Sequence, residues 1–222
     1  MKYFEQLEQL VNRYFTEPHK IYKYVDANGD SLRAAFHFES RFEYLNQYLD
    51  FYKQLSSLSE VIDYACNARF QLRKNGKIYE ITHPHQQYFI GRDKEPRGIE
   101  SYLMKEVESK VQEKIALIES AVTFDDIKSI VSNERVKGFG ELAVYDSAVR
   151  IATYLDITLD KVYLHAGAQE GAKQLERKGL IPVNSSSLDC IQVLDMPKPL
   201  QKLHPIQIEN FLCSFKSEIE NL

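Results

Sequence analysis

The sequence predicts a mainly α protein, a multi-helix chain with little or no β structure. Three observations carry that prediction. Apolar residues recur at three- and four-residue spacing in about eight separate segments. Sustained apolar–polar alternation is scarce. The helical segments are separated by short Gly, Pro, Ser and Asn clusters, and no clear linker divides the chain. At 222 residues the chain can bury a sizeable core. It is read as one domain, 1–222, or as two lobes, 1–98 and 99–222.

Composition narrows the function classes. Hydrophobic residues make up 44% and charged residues 27%, which rules out a disordered chain. The aromatic set is 14 Tyr and 12 Phe with no Trp, so many rings can sit at a core edge with a polar tip outward. A net charge of −4 argues against coating nucleic acid by bulk charge and leaves room for a local basic patch. Cys66, Cys190 and Cys213 form no CxxC, which excludes a zinc ribbon and a thioredoxin-type motif. Glu5 and Glu8 interrupt the first apolar pattern, so it is not a secretory h-region. An odd cysteine count without such a signal fits reduced thiols in a cytoplasm. No apolar run reaches membrane-spanning length.

Taken in order, Phe4, Leu7, Leu10, Val11 and Tyr14 predict a first helix ending before Pro18. "DANGDS", 26–31, is a turn between "IYKYV" and "LRAAFHF". It reads as a loop leading into a helix, with a small hairpin as the alternative. Phe42, Leu45, Leu49, Tyr52 and Leu55 make one helical face, broadened by Tyr44, Tyr48 and Phe51. Ser57 or Ser59 with Glu60 suggests a capping box before a helix running to Arg69. "RKNGK", 73–77, is a basic turn. The following "KIYEITHPHQQYFI" is irregular, with a short strand at most. Ile99 to Ser120 reads as one long helix with Leu103, Val107, Val111, Lys114, Ile115 and Ile118 in its rhythm. Thr123 caps a helix over 124–133 with acids in its first turn.

A helix then starts near Leu142, with Tyr145, Ala148, Val149, Ala152 and Leu155 on one face. Another ends near Lys178-Gly179, a suitable C-cap. Gly167 and Gly171 within it permit close approach of a neighbouring backbone, expected to be the helix at 142–155. "PVNSSSLD" is a loop and 196–205 is proline-punctuated and extended. "IQIENFLCSFKSEI" closes the chain as a helix with Ile206, Phe211, Leu212, Phe215 and Ile219 inward.

One stretch carries a functional pattern. "VKGFGELAVYDSAVRIATYL", 136–155, places Val136, Gly138, Phe139 and Gly140 between two helices, with Ala148 facing inward in the second. Such a turn can aim successive backbone N–H groups at a phosphate, and the dipole of the second helix adds positive potential there. The aromatic residue would plug inward. Arg135 and Lys137 add charge that favours a phosphate, while Glu134 and Glu141 oppose it. The plain alternative is a tight turn needed only for packing.

The pattern resembles a helix-hairpin-helix element, placed at 124–156, and the whole architecture is similar to the DNA-glycosylase superfamily, 8-oxoguanine glycosylase type. The resemblance implies nucleic acid as partner, DNA ahead of RNA, held by Arg135, Lys137, Gly138, Phe139, Gly140 and Arg150. It also implies a nucleophilic Lys just past the second hairpin glycine and an Asp about one helix later. Leu142 follows Gly140-Glu141 here, and Leu164 and His165 stand where the acid is expected. The chain thus resembles the scaffold without the usual catalytic pair. Any catalysis would be built around Asp146 and His165, with Arg150 four residues from Asp146 as an intrahelical partner.

His83 and His85 flank Pro84 and can reach one side of an extended segment. A metal would need a third ligand, for which Asp93 and Cys66 are guesses, so no metal and no cofactor is assigned. No Walker loop, nucleophile elbow or dinucleotide fingerprint occurs. The leading expectation is a cytoplasmic nucleic-acid-binding protein of helix-hairpin-helix, glycosylase-like type. A second is an α-helical protein-interaction or regulatory module with no nucleic-acid role. A third, a small enzyme on a nucleotide-like substrate, requires a pocket lined by His165 and Arg150.

Overall fold

The apolar stripe Leu7, Leu10, Val11 and Tyr14 is buried along the first helix, while Phe4 stays exposed at 44%. The computed structural model describes residues 2–27 and 30–222, and only the backbone of 22–27 and 30–34. In chain order the elements are α1 (Lys2–Thr16), β1 (His19–Ala27), β2 (Asp30–Phe38), α2 (Arg41–Lys53), α3 (Leu58–Cys66), β3 (Arg69–Lys74) and β4 (Lys77–Thr82). Then come β5 (Phe89–Ile90), β6 (Pro96–Arg97), α4 (Ser101–Gln112), α5 (Ile115–Glu119), α6 (Phe124–Asn133) and α7 (Glu141–Tyr154). The last are β7 (Lys161–Tyr163), α8 (Ala166–Arg177), β8 (Cys190–Gln192) and α9 (Pro205–Glu220). Among the described residues, no helix is long and apolar enough to cross a membrane.

The expectation of little or no β structure is overturned. The described residues hold four two-stranded antiparallel sheets within a mostly helical chain. Each sheet has its own reason. "RKNGK" is the turn of the β3–β4 hairpin, in which Lys74 pairs with Lys77. Its central residues Asn75 and Gly76 both take positive φ, 50° and 73°, the geometry that matches strand twist. Phe70 and Leu72 alternate into the core, a period-two signal too short to stand out. β1 and β2 are strands where a loop and helix were expected. The Asn28-Gly29 turn between them lies outside the described residues. In β7–β8, Val162 pairs with Ile191, a non-local contact that no window of sequence reports. The expected long helix at 99–120 is two helices. Lys114 N–H bonds to Val111 O at 3.0 Å, tightening the last turn of α4, and Lys114 precedes α5.

The chain divides into two compact units, each assembled from separate segments. The first comprises Met1–Lys20, His37–Leu45 and Leu159–Leu222. Its core joins Leu7, Tyr14, Leu175, Phe211, Phe215 and Ile219 from α1, α8 and α9. Tyr14 is central: its ring lies edge-on to Phe42, Phe211 and Phe215, and its hydroxyl donates to Asn210 Oδ1 at 3.2 Å. The α8 glycines face α9, not the helix at 142–155. A Cβ on Gly171 would stand 2.4 Å from Leu212 O. That spacing is what lets the two helix backbones touch.

The second unit comprises Ile21–Phe36 and Asn46–Thr158. It contains α3 to α7 and the β3–β4 hairpin. The α6 start follows its sequence signal: Thr123 Oγ1 accepts from Asp126 N at 3.2 Å, and Asp126 Oδ2 accepts from Thr123 N at 2.8 Å, a reciprocal capping box. Phe124 on α6 meets Tyr145 on α7 edge-on at 5.8 Å. At α3, Ser57 caps through Glu60 N, while the Glu60 carboxylate turns to Ser56 instead of closing a box.

Two predictions follow from the first unit. Gly171→Ala should destabilise the protein by about 1–3 kcal/mol, because the added carbon meets fixed backbone; chemical denaturation measures it. His19 is half-buried against Phe38 and Tyr44, and burial, aided by the nearby Arg41 charge, pushes it down to about 4. The folded state therefore resists protonation that the unfolded chain accepts near 6.5. The stability due to neutral His19 is complete above 6.5 and falls as pH drops toward 4. His19→Phe, which keeps the ring contacts, should lose less stability than the parent over that window in denaturation midpoints.

Candidate functional site

The second unit brings together a polar cluster at the inner side of α7. Asp146 and Arg150 lie one turn apart on that helix. Arg150 is fully buried. Its Nε donates to the Tyr48 hydroxyl at 2.5 Å, Nη1 to Ala65 O at 2.7 Å and Nη2 to Gln86 Oε1 at 3.0 Å. Gln86 is itself buried, and its Nε2 donates to Asp146 Oδ2 at 2.6 Å. The same oxygen lies 3.5 Å from His85 Nδ1 and 3.8 Å from Arg150 Nη2.

The turn after β4 presents the histidines. His83 N–H bonds to Ala68 O at 2.7 Å, and Gln86 and Gln87 N–H both return to His83 O. Ile99 N–H then bonds Gln86 O at 3.0 Å. Pinned this way, the His83 and His85 rings meet edge-on with centroids 4.8 Å apart, and His83 also packs on Tyr48. His83, His85 and Asp146 each offer one ligand atom, and these atoms lie within 4.8 Å of one another.

Electrostatics in the cluster oppose burial. Desolvation alone would raise the Asp146 carboxyl. The hydrogen bond from His85 and the charges of Arg150, His83 and His85 outweigh it and hold the group well below the usual carboxylate range. For Arg150, burial works against the cation, and the Asp146 charge and the hydrogen bond to the Tyr48 hydroxyl favour it. Tyr48 and Tyr52 are raised chiefly by burial and stay protonated. The cluster thus pairs a permanent anion with a buried cation beside an imidazole whose side chain is 40% exposed. That arrangement can orient His85 as a proton acceptor or hold a cation.

The hairpin lies at the start of the same helix. Gly138 has φ +101°, and a Cβ there would stand 2.9 Å from Leu103 Cδ1. Phe139 is buried at 2%, plugging inward as expected. Gly140 caps α7 with no side-chain hydrogen bond, and the space where its Cβ would lie is open. Arg135 pairs with Glu141, and Lys114 pairs with Glu134 at 3.5 Å. Both acids that oppose a phosphate are thereby offset. Lys137 is exposed and carries no ion pair among the described residues.

The remaining expected residues lie elsewhere. Arg150 was expected at a phosphate; complete burial and three committed donors give it an interior structural role instead. His165 belongs to the first unit, where it precedes α8 and stacks on Tyr163 at 6.5 Å. Asp93, a guess for a third ligand, is exposed and pairs with Arg97 at 2.8 Å. Cys66, the other guess, is buried, and burial pushes its thiol up to about 12. Sequence reasoning missed Gln86 and the role of Tyr48. Gln86 sits in no pattern, and Tyr48 read as one more ring on an aromatic helix face. No family model, curated protein or solved structure matches the chain.

Arg150→Ala should cost about 3–5 kcal/mol, because it leaves the Asp146 carboxylate nearly buried without its cation. A guanidinium acting only on a phosphate at the surface would leave the denaturation midpoint unchanged.

Proposed function

We propose that the chain is a nucleic-acid-binding protein that grips a backbone phosphate at the hairpin between α6 and α7, DNA ahead of RNA. The observation that carries this reading is the uncapped N-terminus of α7, with open space above Gly140 and an exposed Lys137 beside it. The first N–H groups of a helix with no capping side chain suit an anionic oxygen, and the helix dipole adds to the attraction. Pairing of Glu134 and Glu141 removes the local repulsion. Such a grip positions a duplex without reading its sequence. Catalysis, if the protein performs it, belongs to the Asp146 cluster and not to a Lys/Asp pair. The three cysteines stand as free thiols, in keeping with a cytoplasmic location.

A second reading, a protein-interaction module, draws on the exposed run Tyr88, Phe89 and Ile90, at 43%, 49% and 57%. The two readings separate in one assay. Labelled single- and double-stranded DNA and RNA are titrated with protein across a salt series. Binding should weaken with salt, and Lys137→Ala should reduce the log–log salt slope by about 1.

Gly140→Val is the sharper probe. Position 140 has ordinary backbone angles and room for a side chain, so the variant should fold with an unchanged helical signal. It should bind at least tenfold more weakly, because the side chain occupies the phosphate position. Gly138 variants are less clean, since any side chain there is strained and meets Leu103. Full binding by folded Gly140→Val, or no binding by the parent at low salt, would remove this reading in favour of a protein partner.

A further inference from the structure

We infer that His83, His85 and Asp146 form a binding site for a first-row divalent cation of the zinc type. The inference does not rest on the hairpin reading; it uses a different set of residues and a different ligand.

The donor chemistry fits that class. Two imidazole nitrogens and one carboxylate oxygen are borderline-to-hard donors that suit zinc and its neighbours, and they do not match the all-oxygen shells of calcium or magnesium. Three protein ligands leave a coordination position open, as in sites that act on a ligand, whereas purely structural zinc sites are closed by four.

The geometry is close to closure. The three ligand atoms lie within 4.8 Å of one another. Ligands bound at about 2.0–2.2 Å around one ion stand roughly 3.3–3.6 Å apart, so the set must contract by about an ångström. His85 Nδ1 already stands 3.5 Å from Asp146 Oδ2, so the closure falls on the distances to His83 and is made by its ring turning toward that pair. The His83 backbone is held by its bond to Ala68, and its ring packs on Tyr48.

The surroundings resemble the support that metal-binding carboxylates receive. Gln86 donates to Asp146 Oδ2 at 2.6 Å, and Arg150 in turn holds Gln86 at 3.0 Å. This chain orients the carboxylate before any ion arrives. The Arg150 charge, 3.8 Å from Oδ2, works against a cation. Its hydrogen bonds, however, are directed at Tyr48, Ala65 and Gln86. The three contacts to the carboxylate all fall on Oδ2.

The test uses the full chain, stripped with a chelator and titrated with zinc(II) against a chromophoric competitor. The parent should take up one equivalent, and cobalt(II) should give visible ligand-field bands. His85→Ala should weaken zinc uptake about tenfold or more and abolish the cobalt bands, with its helical signal intact because His85 packs little of the core. Asp146→Asn should weaken uptake similarly. If that variant does not fold, His85→Ala and the milder His85→Gln still decide the question. Absence of zinc uptake by the parent would overturn the site. So would uptake and cobalt bands that His85→Ala leaves unchanged, which would place the ion elsewhere.

Discussion

The second unit is organised around one buried charge. A guanidinium removed from water is tolerable only when its donors and its charge are both answered. Arg150 meets this requirement by reaching three separate parts of the chain: Tyr48 on α2, Ala65 at the end of α3 and Gln86 in the turn after β4. Asp146 supplies the opposite charge from the same helix. Ser147, next to Asp146, adds a second contact to Ala65 O at 3.3 Å. The elements that α7 touches on this face are thus fixed by hydrogen bonds whose loss would strand a charge, and not by apolar contact alone. Apolar packing tolerates sliding and repacking; a guanidinium fork does not.

The first unit solves its packing problem in another way. Its core is apolar and aromatic, and its tightest constraint is steric. α8 and α9 approach so closely that Gly171 has no room for a methyl group against Leu212 O, and Gly167 has little against Cys213. Small residues at four-residue spacing clear a groove along α8, and α9 fills it. The buried face of α9 then presents Phe211 and Phe215 to Tyr14 of α1. The glycines cost helix propensity, roughly 1 kcal/mol each, and the close backbone approach offsets it.

Much of this was readable in the sequence, for physical reasons that differ by element. α1, α6, α7 and α9 were legible because their apolar periodicity or their caps are local; Thr123 with Asp126 is a signal four residues long. Gly138 was legible because a turn with positive φ restricts residue type, whereas Gly140 takes backbone angles open to any residue. The β structure was not. β3 and β4 are six residues each; β3 alternates only at Phe70 and Leu72, and in β4 the exposed Ile78 beside Tyr79 breaks the alternation. β7 pairs with a strand that follows α8, so its signal is entirely non-local. The polar cluster was half legible. Asp146 with Arg150 showed as a helical pair, and His83 with His85 as a spaced pair. That the two pairs meet is a property of the fold, since nothing near Pro84 points to α7. Their link, Gln86, belongs to no motif at all.

Helix α7 therefore carries three roles in order along its length. Gly140 opens it with no capping side chain, Asp146 follows about 9 Å further on, and Arg150 one turn beyond that. A straight helix is rigid in rotation, so fixing one face fixes all of them. Arg150 sets that rotation, because its fork can reach Tyr48, Ala65 and Gln86 together only in one orientation. The direction in which the first N–H groups of α7 point, and the side from which Asp146 meets His85, are then consequences of the same buried guanidinium. Residues at the surface of the hairpin can vary in charge without moving this frame. A change at Arg150 cannot, and its effects should reach both the hairpin and the histidine cluster even though it touches no solvent.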